Sequence, residues 1–305
     1  MTRPAFLRRR PLRWFAILSG VGVVSLVLIS WWVGSRLTAP ARMVVGPPPA
    51  GLDFEEIVIP RESGPTLRGW YLPGDPAQGT VVLLHGIRGS RLQMVDRARL
   101  FHDEGYATLL IDLQAHGESE GEHITAGYLE RLDVAAAVQL ARRRKPNRPV
   151  AVVGASLGAA ATLLASPLDI DAFVAEAVYP TIEEAIDNRV RSRLGFLSPL
   201  ATQMLLIQLK PRLGVSTSQL RPIDYINKIG CPLLIIAGSD DRYTTRAETE
   251  RLFQAAREPK QLEIFSGAAH VDLHHFDPEK YAGVVVKFLK NHLPSATDFR
   301  KEPSR

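Results

Sequence analysis

Val150-Ala-Val-Val-Gly154-Ala-Ser156-Leu-Gly158-Ala-Ala-Ala-Thr162 is the stretch from which the fold follows. Its first four residues are a short apolar run behind the turn-formers Asn147 and Pro149, the pattern of a buried strand. After Gly158 come alanine, threonine and leucine, which suit a tightly packed helix. Between the two stands Gly-x-Ser-x-Gly, so a strand must turn into a helix within very few residues. A turn that sharp forces its central residue into strained backbone angles, and the flanking glycines remove Cβ atoms that would strike the strand and helix. The strain lifts the Ser156 hydroxyl above the end of the sheet, toward the free N–H groups of the helix N-terminus. Ser156 is therefore the candidate nucleophile; the plain alternative is a serine capping a helix in a small-residue packing site.

Outward from this stretch, apolar strands alternate with helical patterns. Residues 80–84 and 107–111 read as buried strands, 91–105 and 128–143 as helices. The pattern continues at 171–178, resumes with strands at 232–237 and 261–265, and ends in a helix over 278–293. Ahead of it, residues 53–73 alternate polar and apolar around a Glu-Ser-Gly-Pro turn, which predicts an antiparallel hairpin. The fold class is α/β: a mostly parallel sheet with an N-terminal antiparallel hairpin and helices on both faces. Such sheets place their sites at the carboxyl ends of the strands. The rhythm breaks only at 180–224, a proline-divided helical stretch read as a lid insertion. Its apolar residues Leu200, Met204 and Leu205 have no evident place in the core of the sheet.

The formal charge of +5 belongs to the N-terminal tail. Arg3, Arg8, Arg9, Arg10 and Arg13 precede residue 14 with no acid among them, and 5 − 5 leaves the remainder neutral. The basic balance thus gives no support to a nucleic-acid partner. Residues 14–33 form an uncharged, mainly apolar stretch of twenty, long enough to cross a bilayer, with Trp14, Trp31 and Trp32 at its ends. More arginines precede it than follow it, which predicts a single-pass anchor with residues 1–13 cytoplasmic and the catalytic domain on the extracytoplasmic side. A cleaved signal, and hence secretion, is the rival reading, with Ala39-Pro-Ala41 as the nearest small-residue site. Residues 34–52 read as a linker in which Pro47-Pro-Pro49 holds the domain, 53–293, off the membrane, so a chain starting near Gly46 is expected to be soluble and active. Residues 294–305 are polar and read as a disordered tail. The lone Cys231 excludes an internal disulfide.

A serine hydroxyl needs a base to take its proton, and that base needs a carboxylate to orient it. The strand at 232–237 ends in Gly238-Ser-Asp240-Asp241, and that at 261–265 ends in Ser266-Gly-Ala-Ala-His270. Asp241 and His270 are the candidates; alone, each has an ordinary alternative as a helix cap or a loop histidine. Successive residues leaving a strand point to opposite sides, so only one of Asp240 and Asp241 can face His270, and the other is expected to cap the following helix or face solvent. Glu176, just past another strand, is a second candidate acid. His270, Asp272, His274 and His275 are dense in ligand types but match no standard zinc spacing, so neither a metal nor another cofactor is expected. Arg88 and Arg91 flank the loop after the strand at 80–84 and are candidates for drawing in an anionic substrate group.

The chain resembles the α/β-hydrolase superfamily, above all its membrane-anchored carboxylesterases and monoacylglycerol-lipase-like members. The resemblance runs from about Phe54 to Leu293 on LLHGIRG, IDLQAHGESEG, GASLG, GSDD and GAAH in that order. It implies an α/β-hydrolase fold, a Ser156–His270–Asp241 triad and an oxyanion hole from the Ile87 and Leu157 backbone N–H groups. It also implies that His85 and His116 hold turns instead of moving protons. Two departures stand out: Gly-Ala-Ala-His270 replaces Gly-x-Gly-His, and Gln114-Ala-His116-Gly117 replaces Arg-Gly-His-Gly. The expected activity is cleavage of a small-molecule or lipid-like carboxylic ester through an acyl-enzyme. Peptidase or thioesterase chemistry on the same machinery and a non-catalytic binding domain are the alternatives.

Overall fold

The computed structural model describes residues 9–61 and 64–293; the tail expected at 294–305, the first eight residues and two of the hairpin turn lie outside the described residues. Eight strands make one sheet: β1 (Glu55–Ile59), β2 (Leu67–Leu72), β3 (Thr80–Leu84), β4 (Ala107–Ile111), β5 (Val150–Ala155), β6 (Ala172–Glu176), β7 (Leu233–Gly238) and β8 (Lys260–Phe265). Their order across the sheet is β8-β7-β6-β5-β3-β4-β2-β1. β1 and β2 form the expected antiparallel hairpin, β2 pairs antiparallel with β4, and β3 to β8 run parallel.

The continuous apolar runs are explained by burial on both faces. β3, β4, β6 and β7 are buried at every position. Alternate residues feed two cores: Val82, Leu84, Val152 and Ile235 face one, Val81, Leu83, Val153 and Ile236 the other. The first is covered by α3 (Glu130–Arg144), α4 (Leu157–Leu164) and α8 (Arg246–Ala255), the second by α2 (Val95–Asp103) and α10 (Pro278–His292). After β4 the chain crosses β3 to lay down β5 on the other side. That reversal opens a crevice between the carboxyl ends of β3 and β5, where doubly wound sheets hold their ligands.

Between β6 and β7 the insertion builds α5 (Ile182–Leu194), a 3₁₀ turn over Gly195–Leu197, α6 (Ser198–Leu206) and α7 (Leu209–Leu213). Thr181 caps α5 by accepting from the Glu184 N–H at 3.2 Å. The insertion is less separate than its sequence suggests. Leu200 is exposed and Met204 and Leu205 are half-buried, but Ile182, Ala185, Leu206 and Leu209 enter the same core as α4.

At the N-terminus α1 (Arg9–Thr38) runs past the expected end at residue 33; Trp14–Thr38 is long and apolar enough to cross a membrane. The following residues differ from the expected spacer. Ala41 and Arg42 pair in parallel with His116 and Gly117. The Ala41 and Met43 N–H groups donate to the Ala115 and Gly117 carbonyls at 2.7 and 3.0 Å, and the Thr38 carbonyl accepts from Ile124 at 2.9 Å. Val45 and Gly46 donate to Glu118 Oε1 at 3.1 and 3.2 Å. A linker free of the domain would leave these groups to water; here they continue its hydrogen bonding. The expectation for a chain starting near Gly46 changes accordingly. Beginning at residue 47, it should melt about 10–20 °C below one beginning at residue 30, since each of the five lost bonds is worth about 1 kcal/mol. Calorimetry of the two side by side checks this.

Candidate active site

Ser156 stands at the junction of β5 and α4 with φ 48° and ψ −102°, a conformation costing a non-glycine residue about 1–3 kcal/mol. The surroundings hold it there. Its N–H donates to the Glu176 carbonyl at 2.8 Å and its carbonyl accepts from Ala160 at 2.9 Å. The glycines on either side are needed for close packing: a Cβ on Gly154 would stand 2.7 Å from the Ala159 nitrogen, and one on Gly158 would stand 2.6 Å from the Leu84 carbonyl oxygen. Gly158 thereby lets α4 press against the end of β3. The Ser156 hydroxyl has no hydrogen-bond partner among the described residues, and the residue keeps 7 % of its surface exposed.

β7 and β8 bring the other two candidates together. His270 Nδ1 lies 2.7 Å from Asp241 Oδ2. The Asp241 carboxylate also accepts from the Tyr243 N–H at 2.7 Å, the Thr244 N–H at 2.9 Å and Thr244 Oγ1 at 2.6 Å. Burial opposes its ionisation, but the His270 and Thr244 hydrogen bonds outweigh it and hold the Asp241 pKa below the ordinary carboxylate value. Asp241 is thus a fixed anion that engages one nitrogen of the imidazole. Asp240 turns away and accepts from Ser239 Oγ at 2.7 Å on the exposed side, while Thr245 takes the helix-capping role on α8. No hydrogen bond joins His270 to the Ser156 hydroxyl among the described residues; such catalytic contacts commonly tighten only around a substrate.

The loop after β3 borders the serine. A Cβ on Gly86 would stand 3.8 Å from Ser156 Cβ, and Ile87 follows with 42 % exposure. Neither the Ile87 nor the Leu157 N–H has a partner among the described residues; for Leu157, the first residue of α4, that is the ordinary state of a helix N-terminus. His85 anchors this loop: its Nε2 accepts from the Leu113 N–H at 3.1 Å, which leaves Nδ1 to donate to the Gly86 carbonyl at 2.7 Å. Burial lowers the His85 pKa to about 4, and burial with its neighbour His85 lowers that of His116 to about 4, so both are neutral at physiological pH. Burial pushes the Cys231 thiol up to about 12, which removes it as a rival nucleophile.

Three expectations from the sequence meet other partners. Glu176 is not free to orient a base: it accepts from Arg97 Nη2 at 2.7 Å and Nε at 3.1 Å and from the Tyr281 hydroxyl. Asp272 takes the remaining side of Arg97 at 2.8 Å and caps α9 (Leu273–Phe276), and His274 packs edge-on to Tyr281 with ring centroids 5.0 Å apart. Arg91 is buried against Asp112 and Glu118 with its guanidinium 4.5 Å over Trp70, so it offers no charge to a substrate. Arg88, by contrast, is turned to the end of α1, donating to the Arg36 carbonyl at 3.2 Å. The Arg97 network has a testable consequence. Arg97→Ala strands a buried carboxylate and should cost about 3–5 kcal/mol in denaturant unfolding. Labelling of Ser156 by a fluorophosphonate should persist below the lowered melting point.

Thr244 and Tyr243 are site residues that the sequence reading missed. The signal was present as Asp241-Arg-Tyr-Thr244, in which a carboxylate accepts from backbone two and three residues on. Tyr243 also meets the His270 ring edge-on at 5.6 Å, lies beneath the Arg189 guanidinium at 5.0 Å and accepts at its carbonyl from Asn188 at 3.3 Å. That stack ties α5 to the site across a gap of more than fifty residues, which no local pattern encodes.

Comparison with known proteins agrees with this fold. The family model described as serine aminopeptidase, S33, matches residues 75–221, which include Ser156. A solved esterase of Pyrococcus furiosus, Pf2001, superposes with a TM-score of 0.69 at 25 % identity, covering 84 % of this chain and 99 % of its own. The chain has the α/β-hydrolase fold. Another solved α/β-hydrolase, GrgF of Penicillium sp. sh18, shares the fold with a TM-score of 0.64 at 20 % identity, over 79 % of this chain and 99 % of its own. The uncharacterized protein YqkD of Bacillus subtilis is 28 % identical over 239 residues, 77 % of this chain and 78 % of YqkD. In coarse terms the chain is a hydrolase on this fold.

Proposed function

We propose that this α/β-hydrolase is a membrane-anchored serine esterase that cleaves carboxylic esters through an acyl-enzyme. The observations that carry the reading are the 2.7 Å contact of His270 Nδ1 with the anchored Asp241 carboxylate and a strained Ser156 whose hydroxyl has no partner among the described residues. Because Asp241 engages Nδ1, Nε2 is left to take the Ser156 proton as Oγ bonds to the ester carbonyl carbon. The carbonyl oxygen becomes an oxyanion, and the Ile87 and Leu157 N–H groups are the donors assigned to it. The C–O bond then breaks as His270 returns the proton to the leaving alcohol. Water repeats the sequence on the acyl-enzyme, releasing the acid and restoring Ser156.

The cap of α5, α6 and α7 sets the acyl or alcohol pocket in this account, and α1 anchors the domain on the extracytoplasmic side, as the arginine asymmetry favours. A carbonate wash of membranes is expected to leave the full chain in the pellet; recovery of a shortened soluble form lacking about the first 41 residues would mark a cleaved signal instead. Peptidase chemistry is the second reading, favoured by the family match described as serine aminopeptidase. The deciding experiment is a panel of p-nitrophenyl esters, monoacylglycerols, acyl-CoAs and aminoacyl amides. Turnover of esters well above amides supports the proposal, and the reverse order transfers the enzyme to the peptidases.

A further inference from the structure

The end of α1 is gripped by the cap. Gln208 Nε2 donates to Ser30 Oγ at 2.8 Å, and Arg212 donates to Ser35 Oγ at 2.6 Å and to the Trp31 carbonyl at 2.8 Å. The Arg212 guanidinium also lies 4.2 Å over the Trp31 ring. Gly34 permits this approach, since a Cβ there would stand 2.3 Å from Gln208 Oε1. From the other side Arg88, one residue past Ile87, reaches the Arg36 carbonyl. The last two turns of α1 are therefore held between α6–α7 and the loop beside Ser156.

This docking sets the level of the cap. In a spanning helix the tryptophans at residues 31 and 32 belong to the membrane–water interface, and Arg212 is bound to one of them. The outer side of the cap suits that level. Phe196 is 90 % exposed, and Leu194, Leu197, Leu200 and Ile207 are exposed with it. From residue 187 to 213 the chain carries Arg189, Arg191, Arg193, Lys210 and Arg212 against the single acid Asp187, a net charge of +4 from 5 − 1. Arg189 is turned inward to Tyr243 and Arg191 pairs with Asp187, leaving Arg193 and Lys210 to the outside. Single exposed apolar residues need no explanation, but five on one short cap, with cations among them, have the composition of a surface that rests on lipid headgroups.

We infer that the Leu194–Leu200 tip and Ile207 of the cap lie on the bilayer that α1 enters, and that the substrate is an ester drawn from that lipid surface. The second half rests on the esterase reading above. The path is short, because α5 leads from this tip to Asn188 and Arg189, which hold Tyr243 against His270.

The test uses the full chain reconstituted into phosphatidylcholine vesicles with about 30 % phosphatidylglycerol. An environment-sensitive NBD fluorophore on Phe196→Cys should emit in the blue-shifted range of lipid and be quenched by doxyl-labelled lipids. Aqueous emission, or a blue shift that doxyl lipid does not quench and so reports a protein partner, would overturn the proposal. The double variant Phe196→Ser/Leu197→Ser alters exposed side chains and should leave hydrolysis of water-soluble p-nitrophenyl acetate unchanged. Its rate on p-nitrophenyl palmitate carried in the vesicles should fall about tenfold. Equal rates on the vesicle ester, or equal loss on both esters, would contradict the substrate half. Failure of the unaltered protein to hydrolyse either ester would sink the esterase reading, while the fluorophore still reports whether the cap meets lipid.

Discussion

Ser156→Ala is expected to lower kcat by about a million-fold while leaving the fold intact, the scale seen when a serine nucleophile is deleted from a working triad. The residual rate comes from oxyanion donors and binding, which the substitution does not touch. Stability should hold or rise slightly, because alanine keeps the volume of the site and loses a hydroxyl that has no partner among the described residues. Ester hydrolysis with and without the substitution, alongside thermal unfolding, checks both halves. A loss of activity accompanied by a collapse in melting temperature would mean that Ser156 serves the packing of α4 and not the chemistry.

Asp241→Asn carries the second largest effect, a fall in turnover of about four orders of magnitude. The amide would present the imidazole with the wrong hydrogen-bonding partner and remove the anion that stabilises its charged form. Asp240→Asn is the control: among the described residues its carboxylate meets only Ser239 Oγ, at the surface, and the variant should keep nearly all activity. A complementary sign follows from the pKa direction. Burial raises the Asp241 pKa, but hydrogen bonds from His270 and Thr244 more than offset this, so its folded value lies below the unfolded one. The stability it contributes is present above the unfolded carboxylate value, near pH 4, and is lost as pH falls through the lower folded value. In Asp241→Asn that part of the acid-side loss of stability should vanish from unfolding curves.

Much of this architecture was legible because its signals are local. The sheet follows from apolar runs too short for helices, and the turn at Ser156 from two glycines that keep Cβ atoms off Ala159 and Leu84. His270 and Asp241 were legible through their places just past β8 and β7. Charge partners were not, since they join residues far apart in the chain. Glu176 and Arg91 look available in sequence, yet one is claimed by Arg97 and Tyr281 and the other by Asp112 and Glu118. The docking of the segment after α1 is hidden in sequence for the same reason. Pro47-Pro-Pro49 suggests stiffness, but nothing local reveals that residues 38–46 find hydrogen bonds on the turn at 115–124.

The most direct test of the central claim, acyl transfer through Ser156, is mass spectrometry of the protein after brief exposure to a fluorophosphonate. One adduct is expected, mapped to the peptide containing Ser156. It should be absent from Ser156→Ala, suppressed by prior incubation with a hydrolysable ester, and formed much more slowly in His270→Ala. An unlabelled Ser156 in protein that still turns over esters would contradict the central claim.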